Sequence, residues 1–160
     1  MNTFSEKGDP SSLAFLKEKA DSLFRFVMLY HDFAIEKKDY GTGKYVNMVE
    51  VHMLLHIATA PGITISELAE KAKRTKSAVS QTVRKLETMG YVYRDVLPED
   101  KRVVRLYPTE VGLELNAAHI RYDAVEVDHT FTEILKTCSR EELDAFYRVI
   151  DAYITIFDED

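Results

Sequence analysis

Two closely spaced helix-start signals, at Thr64 and Thr75, constrain the fold of this chain more than any other feature. Thr64 with Glu67 three positions on is a capping box, which opens a short helix through Ser66, Leu68, Ala69 and Ala72. Lys73-Arg74 leaves room only for a tight turn before Thr75, which caps a further helix. In that helix Val79, Val83 and Leu86 recur at one-turn spacing and face inward, and Gly90 ends it. Its opposite face carries Lys76, Ser77, Ser80, Gln81, Arg84 and Thr88, which are small, polar or basic, with none acidic. Two helices joined in this way form a helix-turn-helix. After them, Tyr91-Val92-Tyr93-Arg94 and Arg102-Val103-Val104-Arg105-Leu106 are rich in β-branched and aromatic residues. They predict two strands around the turn Leu97-Pro98-Glu99-Asp100-Lys101, a hairpin or wing with a basic tip.

Helices flank this centre. Leu13, Leu16, Ala20, Leu23, Val27, Tyr30 and Ala34 alternate steps of three and four, one stripe of a long amphipathic helix. Phe15, Phe24, Phe26, Leu29 and Phe33 widen the stripe beyond what one packing partner covers. Gly41-Thr42-Gly43 interrupts the pattern, and a second helix runs roughly from Tyr45 to Thr59, ending at Pro61-Gly62. Beyond Thr109 the stripe returns in Leu113, Ala117, Ile120, Ala124, Val127, Phe131 and Ile134. Ser139 and Glu142 form a second capping box before a last helix lined by Leu143, Phe146, Ile150 and Tyr153. The expected architecture is mainly α with a small β-hairpin wing. It is one domain over residues 1–160, with a winged helix-turn-helix lobe at 45–108 and dimerisation helices at 11–40 and 109–157. Long terminal helices with broad apolar faces predict a homodimer, because one such chain has little else to cover them; a monomeric bundle is the alternative.

The charge is uneven. The 160 residues carry a formal −6, which taken whole argues against a polyanionic partner. Yet the window from Lys71 to Arg105 holds ten Lys and Arg against four Asp and Glu, a net of +6, and the flanks together hold −12. One cysteine, Cys138, excludes an internal disulfide and a cysteine-rich zinc site. No run approaches the roughly 20 apolar residues of a membrane helix, and the opening MNTFSEKGDPSS has neither a basic n-region nor an apolar h-region. The expectation is a soluble, cytoplasmic protein with no membrane partner.

From Thr64 to Gly112 the chain reads TISELAEKA, RTKSAVSQTVRKLETMGYVYR, PEDKR and TEVG, and in this it resembles the winged-helix transcription regulators of the multiple-antibiotic-resistance (MarR) type. The resemblance implies that the helix starting at Thr75 lies in the major groove of DNA. It also implies that Arg102 at the wing enters the minor groove, and that Asp100 holds the wing's basic side chains in place. It implies a homodimer with interlocked terminal helices, and a repressor released from its operator by a small, often aromatic or phenolic, ligand. The sequence departs from the family pattern at Gln81 and Lys101, where arginine is usual, and at Pro108, where leucine is usual. The first departure leaves the operator sequence open.

Residue chemistry supports the same assignment. Ser77, Ser80 and Gln81 reach base edges, and glutamine pairs with adenine N6 and N7. Lys73, Arg74, Lys76, Arg84 and Lys85 suit phosphates, which give salt-dependent affinity with little sequence information. Thr75, Arg94, Asp100, Lys101 and Arg102 complete the DNA-binding set, with Arg102 suited to a narrow minor groove. A two-fold dimer reads a pseudo-palindrome with half-sites roughly 10 bp apart. Phe26, Tyr30, Phe33, His52 and His56 are the expected ligand pocket; a dimer core with satisfied histidines is the alternative. His52 and His56 stand four apart, a spacing that holds zinc, so a metal-sensing regulator is an alternative of the same fold, although two ligands do not complete a tetrahedral site without His31, His119 or a carboxylate. No metal or cofactor is expected. Cys138 is expected to be an inert thiol. Catalysis is not expected, since there is no phosphate-cradling glycine loop, nucleophile elbow or paired-carboxylate constellation. A winged helix that binds protein rather than DNA is the remaining alternative, and the +6 window argues against it.

Overall fold

A computed structural model describes residues 10–96 and 103–158, with side chains for 17–96 and 103–157. The chain divides into two compact units, one up to Asn116 and the other from Ala117.

The first unit opens with α1 (Pro10–Ile35) and a two-residue hairpin, β1 (Lys38–Asp39) against β2 (Tyr45–Val46). The hairpin is held locally: the Asp39 carboxylate accepts from the backbone N–H groups of Gly41, Thr42 and Gly43 at 2.9, 2.9 and 3.0 Å. This corrects the expectation that a helix starts at Tyr45. Tyr45 and Val46 are strand, and α2 (Met48–Thr59) begins only after Asn47. Asn47 forms a capping box with Glu50, taking its N–H at 2.8 Å and giving its own N–H to the glutamate at 3.0 Å.

Thr64 caps α3 (Ile65–Lys71) by the expected box, with Thr64 N–H to Glu67 Oε2 at 2.8 Å and Glu67 N–H to Thr64 Oγ1 at 3.3 Å. Bonds from the Thr64 backbone and hydroxyl to the Glu67 carboxylate hold that carboxyl below its ordinary pKa. Thr75 caps α4 (Lys76–Thr88), taking the Ala78 N–H at 3.2 Å. Val79, Val83 and Leu86 are fully buried, as their spacing requires; each contributes about 1.5–3 kcal/mol by leaving water. Gly90, at φ +77°, then ends α4.

The wing strands are β4 (Val92–Val96) and β5 (Val104–Pro108), antiparallel, with Arg94 opposite Leu106. A third strand, β3 (Ile63–Thr64), pairs with the other edge of β5, so the order is β3-β5-β4. It has no counterpart among the strands expected from the sequence, because two residues hold no alternation to detect. Val51, Leu54 and Ile57 of α2 fill the core with Leu68, the α4 row and Leu106.

The long α5 (Glu110–Ile134) starts in this unit. Thr109 clips it to the wing: its N–H reaches the Tyr91 carbonyl at 2.9 Å, its hydroxyl donates to the Gly90 carbonyl at 2.7 Å, and the same oxygen accepts the Gly112 N–H at 3.0 Å. The second unit comprises the rest of α5 and α6 (Arg140–Asp158), with the Ser139–Glu142 box present as expected and Phe131 stacked on Tyr147 at 6.2 Å. Among the described residues no helix is long and apolar enough to cross a membrane.

Candidate nucleic-acid interface and adjoining cleft

The turn between α3 and α4 is a closed helix ending. Arg74 N–H bonds to the Ala69 carbonyl at 3.0 Å and Lys73 N–H to that of Glu70 at 3.1 Å, the paired bonds of a Schellman motif. Lys73 occupies the left-handed position at φ 50°, where glycine is usual. The backbone thus turns sharply at a residue that also carries a positive charge, and it starts α4 with Lys73 and Arg74 exposed beside the helix N-terminus.

On α4, residues 77, 81, 84 and 88 fall at i, i+4, i+7 and i+11, one row opposite the buried Val79–Val83–Leu86 row. Ser77, Gln81, Arg84 and Thr88 are all exposed, and Lys76 and Ser80 lie on one flank with Lys85 on the other. This row combines groups for base edges with a cation and has no carboxylate. The Thr75 hydroxyl is engaged in capping, and Arg94 donates through Nε to Glu87 at 2.9 Å, so its charge is held against α4. The expected wing residues Asp100, Lys101 and Arg102 lie outside the described residues.

The expected ligand-pocket residues divide. Tyr30, His52 and His56 line one cleft of about 290 Å³, together with Ala34, Met48 and Arg74. Phe26 and Phe33 are not in its lining. Phe26 lies one turn earlier on α1, stacked on Tyr30 at 6.0 Å, and Phe33 lies under the Lys38 ammonium, 3.1 Å from its ring centre. The helical stripe marked these aromatic rings, but which of them α2 faces is a matter of packing. The two histidines supply two of the four ligands a zinc site needs. Burial, then the charge of Lys71, then His52, lower the His56 pKa below its ordinary value, so near neutral pH Arg74 is the fixed cation of the cleft. Arg74 was expected only at phosphates. Its place in the cleft follows from the turn, which no periodicity in the sequence reveals. His119, named as a further candidate ligand, is buried and lies 2.9 Å from Asp123. Cys138 is exposed.

A second cleft, of about 450 Å³, lies between the start of α2 and the second half of α4, lined by Lys37, Asn47, Glu50, Arg84, Lys85 and Thr88 among others. No sequence signal pointed to it.

Residues 46–104 match the family model of the MarR family. Over 105 residues the chain is 27% identical to a Bacillus subtilis (strain 168) protein named as uncharacterized HTH-type transcriptional regulator YhjH, covering 66% of this chain and 59% of that one. The chain spans about half the length of the curated relatives it matches, from 45% to 59%. Among solved structures it is similar to Streptococcus pneumoniae FabT in complex with DNA, with a TM-score of 0.64 and 23% identity over 92% of this chain and 98% of that one. It is also similar to the S. aureus MepR–DNA complex, with a TM-score of 0.66 and 21% identity over 82% and 95%. At these identities the likeness is one of fold.

Proposed function

We propose, from the match of residues 46–104 to the MarR family model, that the chain is a sequence-specific DNA-binding transcription regulator of that type. In this reading it acts as a homodimeric repressor that leaves a pseudo-palindromic operator when a small ligand binds. What carries the reading is the acid-free outward row Ser77–Gln81–Arg84–Thr88 on α4, set beside the Lys73–Arg74 turn. Ser77 and Gln81 read bases; Lys73, Arg74, Lys76, Arg84 and Lys85 hold phosphates; Arg102 enters the minor groove. The FabT and MepR structures of similar fold are DNA complexes, which supports the same use of this lobe.

The second copy supplies cover for apolar side chains exposed on α1 (Phe24, Phe26, Leu29), on the later part of α5 (Val125, Val127) and on α6 (Ile154, Phe157). The ligand is a small amphipathic anion. Its ring lies against Tyr30 and the methionines of the first cleft, and its charge against Arg74. Arg74 belongs to the turn that starts α4, so an occupant that prefers one position of this turn shifts DNA affinity, as linkage requires.

The test is fluorescence anisotropy of the full chain with labelled duplex from upstream of its own gene against scrambled duplex, over a salt series. Selective binding with a steep salt slope, weakened in Arg102→Ala and Gln81→Ala, is expected. Equal weak binding to both duplexes, unchanged by these substitutions, overturns the reading.

A further inference from the structure

The second cleft has a charge and a position that the DNA-binding residues assigned to α4 and the wing leave unexplained. Its α4 wall is formed by Arg84 and Thr88, the last two members of the outward row, and by Lys85 on the flank opposite Glu87 and Arg94. Its other wall is Lys37, from the connection between α1 and β1, with Asn47 and Glu50 at the start of α2. Three cations thus surround one carboxylate, and that carboxylate is already engaged. Glu50 is only 4% exposed; it accepts the Asn47 N–H at 3.0 Å and lies 3.8 Å from the Lys85 ammonium. It holds Lys85 toward the cleft, and the ammonium itself stays largely in solvent.

A helix in the major groove has a phosphate backbone along each flank, because the groove, about 12 Å wide, is only slightly wider than the helix. On one flank of α4 lie Glu87 and the first wing strand. On the other is this cleft, open, cationic and continuous with the row that faces the groove. We infer that the cleft between α2 and α4 seats the DNA backbone, with Lys37 a phosphate-binding residue of the interface far outside the basic window of the sequence. The inference rests on the DNA-binding reading of α4. Phosphate binding of this kind fixes the register of the protein on the duplex and carries no base information.

The experiment measures anisotropy of the full chain on two labelled duplexes of unrelated sequence, across a salt series, for wild type, Lys37→Gln, Lys37→Arg and Lys136→Gln. Removing the neutralisation of one phosphate lowers the slope of log Kobs against log salt by about 0.9. Lys37→Gln is expected to reduce it by about that much per bound protomer on both duplexes, while Lys37→Arg keeps the wild-type slope. Lys136, paired with Glu133, controls for the removal of one surface charge and should leave the slope unchanged. A wild-type slope in Lys37→Gln, or a reduction confined to one duplex, overturns the inference and leaves the α4 reading intact. Failure of the wild type to bind either duplex sinks both together. Lys37 is exposed, so thermal melts of all four proteins should coincide, and a changed slope then reports phosphate binding rather than folding.

Discussion

Gly112→Ala tests whether α5 and the wing are joined as the structure has them. Gly112 is buried in the first turn of α5, and a Cβ there would stand 2.1 Å from the Tyr91 carbonyl oxygen, 3.0 Å from its carbon and 3.3 Å from its Cα. All three are backbone atoms, so no rotamer change relieves the clash; helix and strand must separate by about 1 Å, since carbon contacts settle near 3.5 Å. That same carbonyl accepts the Thr109 N–H, and the Thr109 hydroxyl bonds to the Gly90 carbonyl, so the separation strains two hydrogen bonds of about 1 kcal/mol each. Overpacking adds about 1–3 kcal/mol, and alanine's better helix propensity returns about 1 kcal/mol. The net expectation is about 2–4 kcal/mol of destabilisation, a fall in Tm of roughly 5–15 °C for a chain of this size. Far-UV circular dichroism melts measure it. Gly90→Ala is the comparison: a Cβ there meets nothing within 4 Å but takes φ +77°, so it should lose only the left-handed penalty of about 1–2 kcal/mol. If Gly112→Ala raises Tm, as Gly→Ala does in an unobstructed helix, the close approach of Tyr91 to α5 is wrong.

Two further expectations concern the turn and the first cleft. Lys73→Gly removes a left-handed strain of about 1 kcal/mol while giving the unfolded chain about 0.4–1 kcal/mol more entropy, so Tm should hold or rise slightly while DNA affinity and its salt slope fall. A clear drop in Tm would show that the lysine side chain, rather than the backbone, holds the turn. The lowered pKa of His56 means that the unfolded chain takes up its proton first as pH falls below about 6.5. This histidine therefore destabilises the fold from about pH 6.5 downward, and more as pH approaches its folded pKa. Melts between pH 7.5 and 5.5 should show a smaller acid-induced fall in Tm for His56→Gln than for wild type, and equal falls would refute it.

The helix starts at Thr64, Thr75 and Ser139, the Gly90 ending and the wing pair were legible in the sequence because each is decided within a few residues. A cap closes its hydrogen bonds three positions away, and a buried stripe repeats every turn. The resemblance to the MarR-type regulators rested on the same local run, and residues 46–104 match that family model. Even here a local rule failed at Tyr45, where the apolar pattern continued backwards from α2 but the Asp39 loop folded Tyr45 and Val46 into a strand.

Only the tertiary structure decided the rest. It paired Ile63 with Leu106 across 43 residues, set the Tyr91 carbonyl against Gly112, and left Phe33 outside a cleft that its neighbour Tyr30 enters. It brought Arg74 into that cleft and Lys37 beside Arg84. These meetings depend on how packed elements come together after long loops have closed, and no spacing along the chain encodes them. The sequence by itself determined which segments are helices, where those capped by Thr64, Thr75 and Ser139 start, and which face of α4 is polar and basic; packing determined which side chains from elsewhere stand beside that face.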